Sequence, residues 1–317
     1  MSAYHNSNLL YRPSISIWTA RIKDKAQSIE VNKSNGAVAG AANVYKQLLP
    51  ESPELKAIQQ HAAAFRTWIY DSTLPWDDSG WRIGRVVRHM DFMDQAGDWM
   101  RQFDEKVQAF AAVYTQAFEN ARFTLNNLFD EATYPGVNEV ISKFGITLDV
   151  TSLPNTEDFR VVDGIPGDEV ERLVQIAKTS VDERVKAAMG EAFSRLHGVV
   201  SKMAETLVAY ENKSVKKFND SLVGNIAALV DVMPALNILD DADLNDYTAT
   251  AKLLCDYAPE DLRKDAKTRK AAIAEAQALA LCMRPTGGSP LPDVPHKQAP
   301  AVGSMANKLR DLMGEDA

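Results

Sequence analysis

Cysteine is scarce in this sequence, since only Cys255 and Cys282 occur among its 317 residues. Two cysteines do not make a disulfide framework, which favours a reducing compartment. The sequence also lacks an apolar run long enough to span a membrane, and its first residues do not have the layout of a signal peptide. We therefore expect a cytoplasmic protein with no membrane partner.

Motifs for catalysis and for metal binding are missing as well. None of the five histidines forms an HExxH motif, neither cysteine has zinc-site spacing, and no GxSxG or phosphate-loop motif occurs. The acidic run from Asp240 to Asp246 matches an EF-hand loop at three positions, but Asp246 replaces the required glycine and Lys252 the required glutamate. A capped helix start explains this run better. We predict no enzymatic activity, no metal and no cofactor.

Positive charge is in deficit. The sequence has 35 lysines and arginines against 43 aspartates and glutamates, which gives a formal net charge of -8. This balance excludes a protein that binds nucleic acid over its whole surface, but it leaves a local basic patch open. The hydrophobic content of 45% is ordinary for a folded chain with a sizeable core.

Two long apolar stripes dominate what the sequence does contain. From Asp168 to Tyr210 an apolar residue recurs every three or four positions, which predicts one side of an α-helix roughly 60 Å long. This stripe consists of Val170, Val174, Ala177, Val181, Val185, Ala188, Ala192, Leu196, Val199, Met203, Leu207 and Tyr210. A second stripe, within 89–130, has the same spacing but is rich in aromatic residues. It consists of Phe92, Ala96, Trp99, Phe103, Val107, Phe110, Tyr114, Ala117, Ala121, Leu125 and Leu128.

Large side chains on one stripe and small ones on the other favour packing of the two helices against each other. We predict a mainly α, elongated fold built on an antiparallel, coiled-coil-like hairpin of the two long helices. A small α+β tip at 133–166 and flanking short helices complete it. Pairing of the long helices between two chains is the alternative that the sequence leaves open.

The chain is expected to divide into consecutive segments. The first contains a strand at 14–18 and helices at 36–49 and 54–70. The segments are 1–88, with the strand, helices and an aromatic turn; 89–236, with the hairpin and its tip; 237–283, with further helices; 284–303, a flexible linker rich in proline and glycine; and 304–317, a short amphipathic tail helix.

A turn with two tryptophans precedes the first long helix, and arginines follow at three-residue spacing. Guanidinium groups beside aromatic rings hold phosphates and stack on bases, which makes this turn the candidate nucleic-acid site. The candidate residues are Trp76, Trp81, Arg82, Arg85 and Arg88. The alternative is that the tryptophans anchor the loop on the hairpin base. A second basic cluster at 263–270 is interleaved with acidic residues, which is typical of a solvated helix face.

The tail helix is a candidate for docking into the groove of a partner, because amphipathic helices on flexible linkers commonly bind in this way. Its apolar residues are Met305, Leu309, Leu312 and Met313. The alternative interpretation is an ordinary frayed tail.

Four segments carry a family resemblance over about residues 14 to 246. They read SISIWTARIKDK, LPWDDSGWRI, LPNTEDFRV and SLVGNIAALVDVMPALNILDDADL. Together they resemble an uncharacterised family, a domain of unknown function in tailed phages and integrative elements. Genes of that kind often lie near a MoxR-type AAA ATPase and a von Willebrand A-domain protein resembling a cobalt-chelatase subunit. The resemblance implies a phage or mobile-element accessory protein in the host cytoplasm, working beside an ATPase, and it supplies no catalytic residues.

The sequence supports three hypotheses of different classes. The first is a non-enzymatic adaptor or assembly protein that presents long helical faces to copies of itself, to the AAA ATPase or to the von Willebrand A-domain protein. The second is a nucleic-acid-binding accessory protein in phage replication or recombination, which uses the arginine and tryptophan turn. An enzyme with an unrecognised site is the third.

Overall fold

The fold is mainly helical, with a small antiparallel sheet, in a computed structural model that describes residues 6–155 and 166–283. The helices are α1 (Lys25–Ser34), α2 (Pro53–Ser72), α3 (His89–Leu125), α4 (Val137–Ile141), α5 (Gly167–Glu211), α6 (Ser221–Leu236), α7 (Ala242–Leu253), α8 (Pro259–Lys264) and α9 (Ala266–Cys282). The strands are β1 (Asn8–Ser16), β2 (Arg21–Asp24), β3 (Val44–Gln47), β4 (Leu74–Pro75), β5 (Arg82–Arg85) and β6 (Gly145–Ser152). Within these residues no helix is both long and apolar enough to cross a bilayer.

Two sheets are formed. The larger has the strand order β4-β5-β1-β6, and β5 lies antiparallel to both β4 and β1. The smaller is a two-stranded antiparallel ribbon of β2 and β3, in which Arg21 pairs with Gln47 and Lys23 pairs with Tyr45. Helix α1 and a loop connect the two strands of this ribbon.

The described chain divides into two compact units that alternate along the sequence, whereas the sequence predicts consecutive segments. Unit 1 comprises 6–11, 70–89, 150–155 and 166–283. Unit 2 comprises Arg12–Ile69 and Met90–Asp149. The predicted linker at 284–303 and the tail helix with Met305, Leu309, Leu312 and Met313 lie outside the described residues, as do 159–162 of the predicted tip.

The core of unit 1 is built on α5, whose predicted boundaries and apolar stripe are confirmed. Ala188, Ala192 and Leu196 are fully buried and belong to one cluster with apolar residues of α6 and α9. Helix α9 contributes small residues, among them the buried Ala272 and Ala276. Small side chains on both helices allow a close approach, which explains why this long helix packs on an alanine-rich one.

The core of unit 2 is built on α3, which begins at His89 as predicted but ends at Leu125 instead of 130, because Asn126 has a φ of +44° and a 3-10 helix, Asn126–Leu128, follows. Phe103 and Phe110 of α3 are buried in a cluster with Leu55 and Ile58 of α2, a helix that the sequence also predicts. The two stripes are therefore buried in separate clusters, each with other helices of its own unit, and the α3–α5 hairpin stays a prediction. Periodicity shows which face of a helix is buried, but it does not show which helix covers that face.

The helix predicted at 36–49 is wrong for an identifiable reason. Residues 36–49 form a loop and β3 rather than a helix, since Gly36 and Gly40 have φ of +62° and +88°. In the C-terminal segment 237–283, α8 and α9 are separated at Asp265, whose carboxylate caps α9 by accepting from two backbone N–H groups.

Candidate nucleic-acid interface

The predicted aromatic turn is the loop of the hairpin formed by β4 and β5. The backbone N–H of Trp76 donates to the carbonyl of Trp81 at 3.0 Å, and the Asp77 carboxylate accepts from the backbone N–H groups of Ser79 and Trp81. Gly80 has a φ of +92°, which a residue with a side chain rarely adopts. The sequence of the turn therefore specifies its own geometry.

The tryptophans of this turn are part of the core of unit 1. Trp76 is only 5% exposed and lies in the cluster with Leu74 and Ile83, while Trp81 is half-buried against the same cluster. The Arg184 guanidinium lies 5.6 Å from the centre of the Trp76 ring. These contacts fit the interpretation in which the tryptophans anchor the loop.

Arg82 is buried and binds the end of a helix. Its guanidinium donates to the Thr73 hydroxyl at 2.7 Å and to the carbonyls of Thr73 and Tyr70 at 2.8 and 3.1 Å. Arg195 donates to the Tyr70 carbonyl as well. Burial, together with the charge of Arg195, lowers the pKa of Arg82 to about 10. Carbonyls at a helix C-terminus carry partial negative charge, so both arginines cap α2.

The other two candidate arginines, Arg85 and Arg88, lie outside the aromatic turn, at the end of β5 and in the 3-10 helix that follows it. Arg85 makes two hydrogen bonds of 2.6 Å to the carboxylate of Asp240. Arg88 is exposed at the end of a 3-10 helix, Val86–Arg88. The structure thus brings Trp76, Trp81 and Arg82 together, but their contacts are with the protein itself.

The second basic cluster consists of ion pairs and capping contacts. Arg269 donates to the carboxylate of Glu211 at 2.6 Å and to the carbonyl of Leu262. Arg263 binds the Phe218 carbonyl and the Asp220 carboxylate. Contacts of this kind connect the C-terminal helices of unit 1, so Arg263 and Arg269 stabilise the fold.

A different group of cations remains at the surface of unit 2. We call residues 21–47 the basic module, which comprises β2, α1, the loop after it and β3. It contains five basic and two acidic residues in a chain whose net charge is -8. On the ribbon, Arg21, Lys23 and Tyr45 are exposed, whereas Ile22 packs against the core of unit 2. Alternation along the strands therefore puts the cations on the outer face.

An open pocket of about 480 Å³ lies within the basic module. Three lysines line it, and no aspartate or glutamate does. The lining residues are Lys23, Lys25, Ser28, Ile29, Asn32, Lys33, Ala37, Ala39, Gly40, Ala42 and Asn43. Of the two acidic residues of the module, Asp24 caps α1 by accepting from the backbone of Gln27, and Glu30 does not line the pocket.

Buried side chains hold the loop of the pocket in place. Asn32, only 5% exposed, donates to the carbonyls of Ser28 and Ala42 and accepts from the backbone N–H of Ala42 at 2.9 Å. The Ser28 hydroxyl accepts from the backbone N–H of Val44 and donates to the carbonyl of Asp24. Buried hydrogen bonds thus hold the loop backbone against α1 and form one wall of the pocket.

Sequence reasoning missed this pocket because it assigned 36–49 to a helix. The usable signal was the alternation of Arg21, Lys23 and Lys25, followed by Lys33 eight residues later on one face of α1. Two glycines within a run of small residues also pointed to a loop. Both signals are weak without knowledge of the fold.

Comparison of the chain with protein-family models, curated proteins and solved structures finds no match. In the described residues no group of three or more histidines, cysteines, aspartates or glutamates is arranged to hold a metal ion. The function is therefore argued from the geometry of the chain alone.

Proposed function

We propose that this chain is a non-enzymatic accessory protein that binds nucleic acid at the basic module. The observation that carries the proposal is the open pocket lined by Lys23, Lys25 and Lys33 with no carboxylate among its lining residues. Lysine is a compact charge that suits phosphate oxygens, and phosphate contacts supply most of the non-specific affinity for nucleic acid. The small residues of the loop allow a phosphate to approach the backbone.

The charge distribution supports binding at one place only. A chain of net charge -8 repels a polyanion over most of its surface, so the basic module is the favoured point of approach. The same repulsion predicts weak binding at low salt, and the lysine–phosphate contacts predict that added salt weakens this binding further.

The test is the affinity of the full chain for a fluorescently labelled 20-nucleotide DNA, measured by anisotropy at low salt. Lys23→Glu with Lys33→Glu reverses two charges in the pocket. The matched control is Lys56→Glu with Arg66→Glu, because both residues are exposed on α2 in the same unit and the net charge changes equally. We expect the pocket variant to bind at least about tenfold more weakly than the control.

Equal affinities of the two variants would contradict the proposal, because the binding would then reflect net charge rather than the pocket. Absence of binding by the unmodified chain would contradict it as well. Far-UV circular dichroism of each variant verifies that the fold is retained.

A second candidate function is self-assembly, in which the chain acts as an oligomeric adaptor. Leu253 and Leu281 favour it, because these large apolar side chains of unit 1 are 59% and 58% exposed. In this proposal the AAA ATPase and the von Willebrand A-domain protein implied by the family resemblance are partners, in the host cytoplasm. Light scattering of the full chain should give an oligomer that Leu253→Asp with Leu281→Asp dissociates. A strict monomer at all concentrations would refute it.

A further inference from the structure

The outer face of the β2–β3 ribbon carries an aromatic ring among cations. Tyr45 is 52% exposed, and the Arg21 guanidinium lies 5.6 Å from the centre of its ring. Lys23 pairs directly with Tyr45 across the ribbon, so their side chains leave the same face next to each other. The half-exposed ring of Tyr45 contributes little hydrophobic stabilisation to the free protein, but it offers a flat surface on which a base can stack.

The ribbon and the pocket share Lys23, so the two features form one continuous surface. Along β2, Arg21 and Lys23 are separated by roughly 6–7 Å. Along α1, Lys25 and Lys33 lie roughly 12 Å apart on one face, with the exposed Ile29 between them. The cations therefore form a row that begins at an aromatic ring and ends at a loop of small residues.

From this arrangement we infer that the basic module binds single-stranded nucleic acid, with a base stacked on Tyr45 and the backbone phosphates along Lys23, Lys25 and Lys33. The inference rests on the proposed function and adds the form of the ligand. A cationic groove beside an exposed aromatic ring is the arrangement by which proteins hold single strands without reading their sequence. In a duplex the bases already stack on one another, so Tyr45 would contribute nothing.

The experiment compares three 20-mers of equal length on the full chain by fluorescence anisotropy. They are a thymidine single strand, a single strand of abasic residues, which keeps the phosphates but has no bases, and a DNA duplex. We expect the thymidine strand to bind about tenfold more tightly than the abasic strand, because only the former can stack. The duplex should not bind more tightly than the thymidine strand.

Three substitutions separate stacking from charge. Tyr45→Leu should reduce the affinity for the thymidine strand to that for the abasic strand and leave the abasic strand unchanged. Tyr45→Phe keeps an aromatic face and should retain the preference. Phe123→Leu is the control, since Phe123 is a 74% exposed aromatic residue of unit 2 outside the basic module.

The outcomes distinguish this inference from the proposed function. If the thymidine and abasic strands bind equally and Tyr45→Leu has no effect, single-strand stacking is refuted while phosphate binding at the pocket stands. A duplex that binds more tightly than either single strand refutes it in the same way. If none of the three DNAs binds, both proposals fail. Thermal unfolding of each variant verifies that the ribbon substitutions leave the fold intact.

Discussion

Replacement of Arg82 by methionine tests whether this arginine is a helix cap or a ligand-binding residue. Methionine has a similar length but no charge and no donors. The substitution removes three hydrogen bonds from the end of α2, to Thr73 and Tyr70. At roughly 1.5–2 kcal/mol for each bond from a charged donor, the loss is about 4.5–6 kcal/mol.

The same substitution removes the cost of burying a charge. The pKa of Arg82 is lowered to about 10 by burial and by the charge of Arg195, which corresponds to a cost of about 3 kcal/mol for the charged form. The net prediction is therefore a destabilisation of about 1.5–3 kcal/mol. Urea unfolding followed by tryptophan fluorescence measures it, because Trp76 and Trp81 lie in the adjacent hairpin.

Arg66→Met is the control, because Arg66 is exposed on the same helix, α2, and its replacement should change the free energy of unfolding by less than about 0.5 kcal/mol. A loss below about 0.5 kcal/mol for Arg82→Met would refute the capping argument. So would a fall in DNA affinity for a variant that remains fully folded, since Arg82 would then contact the ligand.

Three further predictions concern the cores and the pocket. Burial raises the pKa of Tyr11 and Tyr114 to about 12, so each contributes stability that is present below about pH 10 and lost as the pH rises towards 12. Urea unfolding should show a loss of about 1.4 kcal/mol per buried tyrosine at about pH 11, and Tyr11→Phe should reduce the loss. Asn32→Ala should weaken oligonucleotide binding in anisotropy by loosening the loop, although no charge changes. Ala188→Leu should lower the free energy of unfolding by about 1–3 kcal/mol in urea, because the fully buried site has no room for a larger side chain.

The long helices were predictable because their buried faces repeat over ten or more turns. The extent of α5, most of the extent of α3 and the burial of Phe110 and Leu196 follow from periodicity alone. The partners of those faces were not predictable, because α2, α6 and α9 present apolar faces of suitable size as well. A pattern within one helix contains no information about which of several complementary helices covers it.

The aromatic turn that the sequence favours as a nucleic-acid site differs from the lysine-lined pocket for a related reason. Arg82 and Trp76 form a conspicuous motif in the sequence, but burial makes them part of the fold. Lys25 and Lys33 lie 8 residues apart along α1, and they line a pocket only because a loop turns back over the helix. The position of this loop depends on the buried Asn32. Its role cannot be predicted from the sequence, where it is one polar residue in a polar segment.

The salt dependence of single-strand binding tests the central claim most directly. If Lys23, Lys25 and Lys33 each contact one phosphate, the logarithm of the binding constant should fall with the logarithm of salt concentration with a slope of about -2. Lys23→Glu with Lys33→Glu should make the slope shallower by about 1.4, whereas Lys56→Glu with Arg66→Glu should leave it unchanged. Identical slopes for the unmodified chain and the pocket variant would contradict the account.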